Sequence, residues 1–228
     1  MFSQLGFLVR RAGPSVVCGA LSLGAAALQA QAATISDPAG DFLSTFAGST
    51  NSKDLDIVSA SATYDAATDT FVLSSTSAGA IGSTSTALYV WGVNEGTGKA
   101  GFAANGLPDV LFDQVILLRP DGTGNVGSAA LPAGAVTISG NTLTASISGA
   151  LLPSKGFAKG DYTWNLWPRD TAFSSKGFGA IADFAPDKVN FATTSAVPEP
   201  ATYALMGVGL LLVGLAGRRA QAPRKCRR

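Results

Sequence analysis

The sequence of 228 residues contains no histidine. That absence excludes Ser-His-Asp and Cys-His catalysis and the usual zinc sites, which need a base titrating near neutrality or an imidazole ligand. Cysteine is nearly missing as well. Cys18 and Cys226 lie close to the two ends, so the long middle of the chain holds neither a disulfide nor a thiol nucleophile. A domain of that length can build a core without staples, even in an oxidising compartment. Helical periodicity is almost absent between residues 33 and 196.

What is present is concentrated first at the ends. The opening segment finishes in Arg10 and Arg11, a stretch rich in Ala, Leu, Val and Gly runs on to Leu28, and Ala30-Gln31-Ala32 puts small residues at both positions a signal peptidase reads. This predicts a signal helix within residues 1–32, cleaved after Ala32, by the general secretory route rather than a twin-arginine one. Lipidation at Cys18 is disfavoured because Val17 stands where a small residue is needed.

At the other end, Val197-Pro198-Glu199-Pro200 is followed by 17 uncharged residues, Ala201 to Gly217, and then by Arg218, Arg219, Arg224, Lys225, Arg227 and Arg228. The two prolines stop a helix from propagating back toward the domain. The apolar run is just long enough to predict a transmembrane helix over 201–217, and its glycines suit close helix contacts in lipid. A soluble buried helix would keep a polar face, and this run shows none. The basic tail, 218–228, is held on the cytoplasmic side by the positive-inside rule, which leaves the rest of the chain outside.

This tail resembles the PEP-CTERM sorting signal of Gram-negative bacteria in its Pro-Glu-Pro triplet at 198–200, its glycine-rich apolar stretch and its terminal arginines. The resemblance implies that Pro198, Glu199 and Pro200 are read by an exosortase, a membrane-embedded cysteine transpeptidase. It further implies transient anchoring in the inner membrane and then delivery to the cell surface or exterior, in the company of exported polysaccharide. It covers about 32 residues and concerns destination, not activity.

Between the two ends lies enough chain for one domain, residues 33–192, followed by a linker over 193–200 that carries the motif. From residue 33 to 196, eight Lys and Arg stand against fourteen Asp and Glu, a net charge of −6 hidden by the basic ends. An acidic surface disfavours nucleic acid and favours cations or neutral ligands.

Short segments of alternating polarity predict strands at 55–64, 70–77, 87–93, 110–119, 135–139, 142–148, 162–167 and 180–184. Asp65 to Asp69, Pro120-Asp121-Gly122 and Gly140-Asn141 supply the turns between them, 151–153 a short helical turn, and Ser175 to Gly179 a loop. Alternation puts Leu55, Ile57, Phe71, Leu73, Leu143, Ile147, Tyr162, Trp164 and Leu166 on buried faces. The fold class expected is all-β, a single antiparallel β-sandwich with a jelly-roll-like order.

Two groups of residues are candidate sites. Asp37, Asp41, Asp54 and Asp56 surround two loop-to-strand transitions beside glycine, the ligand type calcium prefers, although turn capping would use the same residues. The segment Asp37-Pro38-Ala39-Gly40-Asp41 resembles the opening of DOMON-like and related carbohydrate-binding β-sandwich domains, in several of which early acidic residues hold calcium or brace the sandwich edge. Among the aromatics, Tyr162 and Trp164 read as core. Trp91 and Trp167, the latter beside Arg169 and Asp170, are candidate sugar-stacking residues set against the commoner role of core packing.

Asp109 and Asp113 sit four residues apart on a predicted strand, about 13 Å at ordinary strand rise and too far for the usual glycosidase pair. Gly122-Thr123-Gly124 has no helix start behind it and reads as a turn rather than a phosphate loop. The sequence thus leads to three expectations in order. The first is a non-enzymatic, exosortase-sorted surface or extracellular-matrix protein with a structural or adhesive role in exopolysaccharide or biofilm. The second is a calcium-dependent carbohydrate-binding module, and the third a carboxylate-based glycan-active enzyme.

Overall fold

The computed structural model describes residues 34–195 together with 206, 207 and 209–211. The predicted signal helix, the Pro-Glu-Pro motif, most of the predicted transmembrane helix and the basic tail lie outside the described residues. Residues 206, 207 and 209–211 are helical, and no helix among the described residues is long and apolar enough to cross a membrane.

Twelve strands are present among the described residues: β1 (Ile35–Ser36), β2 (Ile57–Asp65), β3 (Thr70–Ser77), β4 (Ala87–Asn94), β5 (Gln114–Leu118), β6 (Gly124–Val126), β7 (Ala129–Ala130), β8 (Val136–Ser139), β9 (Thr142–Ser148), β10 (Thr163–Asp170), β11 (Phe191–Ala192) and β12 (Thr194–Ser195). They form two six-stranded sheets. The first runs β1-β2-β3-β9-β8 with β12 also on β2, and the second runs β11-β10-β4-β5-β6-β7. All pairings are antiparallel except that of β12 with β2.

Sequence-adjacent strands pair within each sheet, as in β2-β3 and β4-β5-β6-β7, so the order is not the interleaved one of a jelly roll. The turns that hold these hairpins are those the sequence advertises. Asp65 accepts the Ala67 N–H and the Thr68 hydroxyl, both at 2.8 Å, and Asp69 takes the left-handed conformation that closes the β2–β3 turn.

The apolar faces of both sheets meet in one cluster that includes Leu55, Ile57, Phe71 and Leu143 from the first side and Trp91, Ile116, Tyr162 and Trp164 from the second. Phe71 stacks on Tyr162 at 5.5 Å and meets Trp164 edge-on at 5.4 Å, which ties the two sheets at their centre. Each such pair adds about 0.5–1.5 kcal/mol beyond area burial.

The sheets differ in their other faces. On β3 burial alternates residue by residue, the pattern of a strand with one face wet. On β4 and β10 nearly every residue is buried. A second cluster explains this: Trp167, Val90, Val110, Ile181 and Phe184, with Phe102, Phe112 and Phe178 packed against them, cover the outer face of the second sheet.

That cover accounts for two departures from expectation. The segment 180–184, expected as a strand, lies along β10 and its backbone pairs with it only through isolated bridges, Arg169 to Ile181 and Leu166 to Ala185. The segment 171–180, part of which was expected as loop, is a kinked 3₁₀ run. At the end of the domain, Thr194 and Ser195 pair with Thr63 and Tyr64 of β2, so the first residues of the expected linker belong to the sheet.

Candidate metal centre

Five aspartates converge at one end of the domain. Asp37 follows β1 directly, and its amide donates to the Val58 carbonyl at 3.0 Å. Asp41 is set by the next few residues: the Leu43 N–H donates to the Ala182 carbonyl and the Ala47 N–H to the Gly179 carbonyl, both at 2.8 Å, which lays residues 41–47 along 179–182. Asp56 leaves the 3₁₀ turn Lys53–Leu55 in extended conformation. Asp183 follows Ala182, whose N–H reaches the Pro168 carbonyl at 3.0 Å, and Asp187 lies four residues further on.

They fall into two groups, Asp37-Asp41-Asp187 and Asp41-Asp56-Asp183, in each of which one carboxylate oxygen per residue lies within 4.8 Å of the others. Asp56 and Asp183 are buried and partly satisfied. Both Asp56 oxygens accept the Gly40 N–H, at 2.9 and 3.0 Å, while Asp183 accepts the Ile57 and Phe184 N–H groups at 2.9 and 2.7 Å. Asp41 and Asp37 differ. Both oxygens of Asp41 and Oδ2 of Asp37 are out of contact with solvent and receive no hydrogen bond from another described residue. The nearby cation is Lys53, half-exposed, 3.3 Å from Asp56 Oδ2 and 5.0 Å from the centre of the Phe42 ring.

Burial, and then repulsion from Asp183, Asp41, Asp187 and Asp56, pushes the Asp37 carboxyl up to about 8. Burial likewise raises Asp183 to about 7, with Asp41 and Asp56 adding to the shift. Asp41 is raised too, chiefly by burial; its own amide offsets part of this, and Asp187 and Asp56 reinforce it. An all-oxygen set of this kind is what a hard divalent cation such as calcium binds.

The structure brings together Asp37, Asp41 and Asp56 of the four aspartates singled out by sequence, and it does not bring Asp54. That carboxylate is buried elsewhere, accepting the Thr84 N–H and hydroxyl at 2.7 Å each, because the 3₁₀ turn aims residues 54 and 56 in different directions. Asp183 and Asp187 were missed, and no local spacing signals them.

The sugar-stacking candidates are placed where stacking on a ligand cannot occur. Trp91 is fully buried between the sheets, edge-on to Phe191 at 6.3 Å. Trp167 does point to the opposite face from Trp164, but that face is covered, and its ring packs on Phe102 at 5.1 Å and Phe112 at 5.0 Å. Gly92 on the neighbouring strand leaves room for it, since a Cβ there would collide with the Trp167 ring. Arg169 donates to the Gly177 carbonyl at 3.2 Å, and Asp170 accepts the Thr86 hydroxyl at 2.6 Å and the Ala172 N–H at 2.9 Å, so both serve the 171–180 segment. Asp109 is exposed, whereas Asp113 accepts three amides, from Glu95, Thr97 and Gly98, and thereby closes the loop after β4.

Residues 196–220 match the family model described as the PEP-CTERM protein-sorting motif. The match contains Pro198, Glu199 and Pro200 and runs through the apolar stretch to the first arginines. The chain therefore carries the sorting signal of an exported protein that an exosortase recognises and that is directed to the surface of a Gram-negative cell. Neither the curated proteins nor the solved structures contain a match, and the DOMON-like resemblance gains no support from them.

Proposed function

We propose that this protein is a structural, adhesive component of the cell surface or extracellular matrix, in which a β-sandwich domain contacts exported polysaccharide by binding rather than catalysis. The apolar stretch 201–217 would hold it transiently in the inner membrane, with the basic tail inside, until exosortase processing releases it outward. The observation that carries the adhesive role is the wet face of the first sheet.

Across that face the strand registers align hydroxyl side chains in rows. Ser59, Thr76, Thr142 and Ser139 form one row, Ser74, Thr144 and Thr137, with the buried Ser61 at their end, form the next, and in a third Thr63 and Ser146 flank the exposed Val72. Neighbouring hydroxyls come within 3.4 Å in the pairs Ser74–Thr144, Thr76–Thr142 and Thr63–Thr194. Rows lie about 6.7 Å apart and strands about 4.8 Å apart at ordinary sheet geometry. Each hydroxyl both donates and accepts, so these three rows offer a neutral, hydroxyl-rich polymer many weak contacts with no charge to desolvate. Many weak contacts along a repeating chain add up through multivalency.

The test is retention of the protein on exopolysaccharide from the producing bacterium, compared with a variant carrying Thr76→Arg and Thr144→Arg. Retention of the wild type and its loss in the variant supports the reading, while equal retention of both, or none of either, contradicts it. The second reading, a calcium-dependent carbohydrate module, is favoured by the aspartate cluster and predicts that chelation also abolishes retention.

A further inference from the structure

We propose that Asp37, Asp41, Asp56, Asp183 and Asp187 form a calcium site, with Asp41 the ligand common to its two halves, that fastens the start of the domain to its C-terminal return outside the cell. The inference is independent of the adhesive reading, since it is drawn from the aspartate geometry and not from the hydroxyl rows.

Two ligand oxygens bound to one ion at calcium's usual distance of about 2.4 Å can stand at most about 4.8 Å apart. Each aspartate triad meets that limit as it stands. A second observation points to a ligand. Asp41 presents two oxygens, and Asp37 one, that have neither solvent nor a donor from another described residue. Buried carboxylates in such a setting need protons or a cation, because unpaired burial of charge is costly. Lys53 does not meet that need: its ammonium reaches Asp56 alone, which already accepts the Gly40 amide.

The donor chemistry selects the ion. Five carboxylates with no nitrogen or sulfur ligand exclude the usual zinc and copper preferences. Magnesium keeps several waters and is held through one or two carboxylates, whereas calcium accepts six to eight oxygens in irregular geometry, which suits ligands drawn from three separate segments. Those segments are 37–41, the start of β2, and 183–187, which leads into β11 and β12 and on to the sorting motif. In the calcium-poor cytoplasm the cluster lacks its ion, and export supplies it, so loading stabilises the folded form where the sorting signal sends the chain.

The experiment is thermal unfolding and equilibrium dialysis with radioactive calcium on the full exported chain in detergent, in calcium, in magnesium at equal ionic strength, and after chelation. The proposal expects retained calcium and a saturable rise in unfolding temperature of several degrees that magnesium does not reproduce. Asp41→Asn should abolish both effects, and Asp187→Asn, an exposed position that burdens folding little, should weaken binding at least tenfold. Asp54→Asn should leave calcium binding as in the wild type. No retained calcium, or binding unchanged in both Asp41→Asn and Asp187→Asn, overturns the site. Retention on polysaccharide is read separately, so loss of that activity with calcium binding intact would count against the adhesive role alone.

Discussion

The amide of Ile57 donates to Asp183 Oδ2 at 2.9 Å and so joins residues 126 positions apart in the chain. The other Asp183 oxygen accepts the Phe184 N–H at 2.7 Å, and the whole side chain is buried. Asp183→Ala leaves the buried Ile57 amide without an acceptor, at a cost of about 1–3 kcal/mol. Asp183→Asn keeps one acceptor oxygen and should lose less. Urea unfolding under chelation checks this order, with the alanine variant having the lower midpoint.

Asp54 is the control for the aspartate cluster. It anchors the Lys53–Leu55 turn to Thr84 through two 2.7 Å bonds, far from any cation role. Asp54→Ala should destabilise the domain by about 1–3 kcal/mol, since it leaves the half-buried Thr84 amide and hydroxyl without their acceptor. The gain on adding calcium should match that of the wild type, and comparison of unfolding midpoints with and without calcium measures it.

Acid sensitivity should come from the loop carboxylates. Burial alone would raise Asp113, but the Gly98, Glu95 and Thr97 amides outweigh it and hold the group below its usual range. Asp69, held down mainly by the Lys159 ammonium, shifts the same way. A folded pKa below the unfolded value of about 4 contributes stability that is complete above that value and lost as pH falls through the folded one. Stability should therefore decline below about pH 4. The decline should be shallower in Asp113→Asn, as followed by unfolding midpoints between pH 5 and 2.

Trp167 is a structural residue by its surroundings. Its ring meets Phe102, Phe112 and Phe184 within 5.9 Å, in the layer that covers the second sheet. Trp167→Ala should cost about 3–5 kcal/mol, the range for removing a large core aromatic. Polysaccharide retention per folded molecule should stay unchanged. Denaturant unfolding together with retention of the folded fraction tests both halves.

Much of the architecture was legible because strands of seven or more residues carry their own alternation. The limits of β3 and β9 coincide with the segments expected from it, and Phe71, Leu73, Leu143 and Ile147 all face inward. Strands of two residues, such as β1, β11 and β12, are too short for any period and depend on partners distant in sequence. Residues 180–184 look like a strand because four of the five are apolar, yet Ile181 and Phe184 roof β10 while Asp183 joins the aspartate cluster.

The same physics divides the aspartates. Local spacing groups 37, 41, 54 and 56, but a 3₁₀ turn separates Asp54 from Asp56, and only the closed sheets carry 183 and 187 to the others. Trp167 was correctly set on the face opposite Trp164. What alternation does not reveal is a second apolar layer, built by Phe102, Phe112 and Phe178 from loops.

The most direct measurement is diffraction from crystals of the mature chain grown with calcium, with data collected at a wavelength where calcium scatters anomalously. The account predicts an anomalous peak within bonding distance of the Asp41 carboxylate, between the Asp56–Asp183 and the Asp37–Asp187 sides of the cluster. A calcium-grown crystal with no peak there, and with the Asp41 oxygens hydrogen-bonded to protein donors instead, would contradict it.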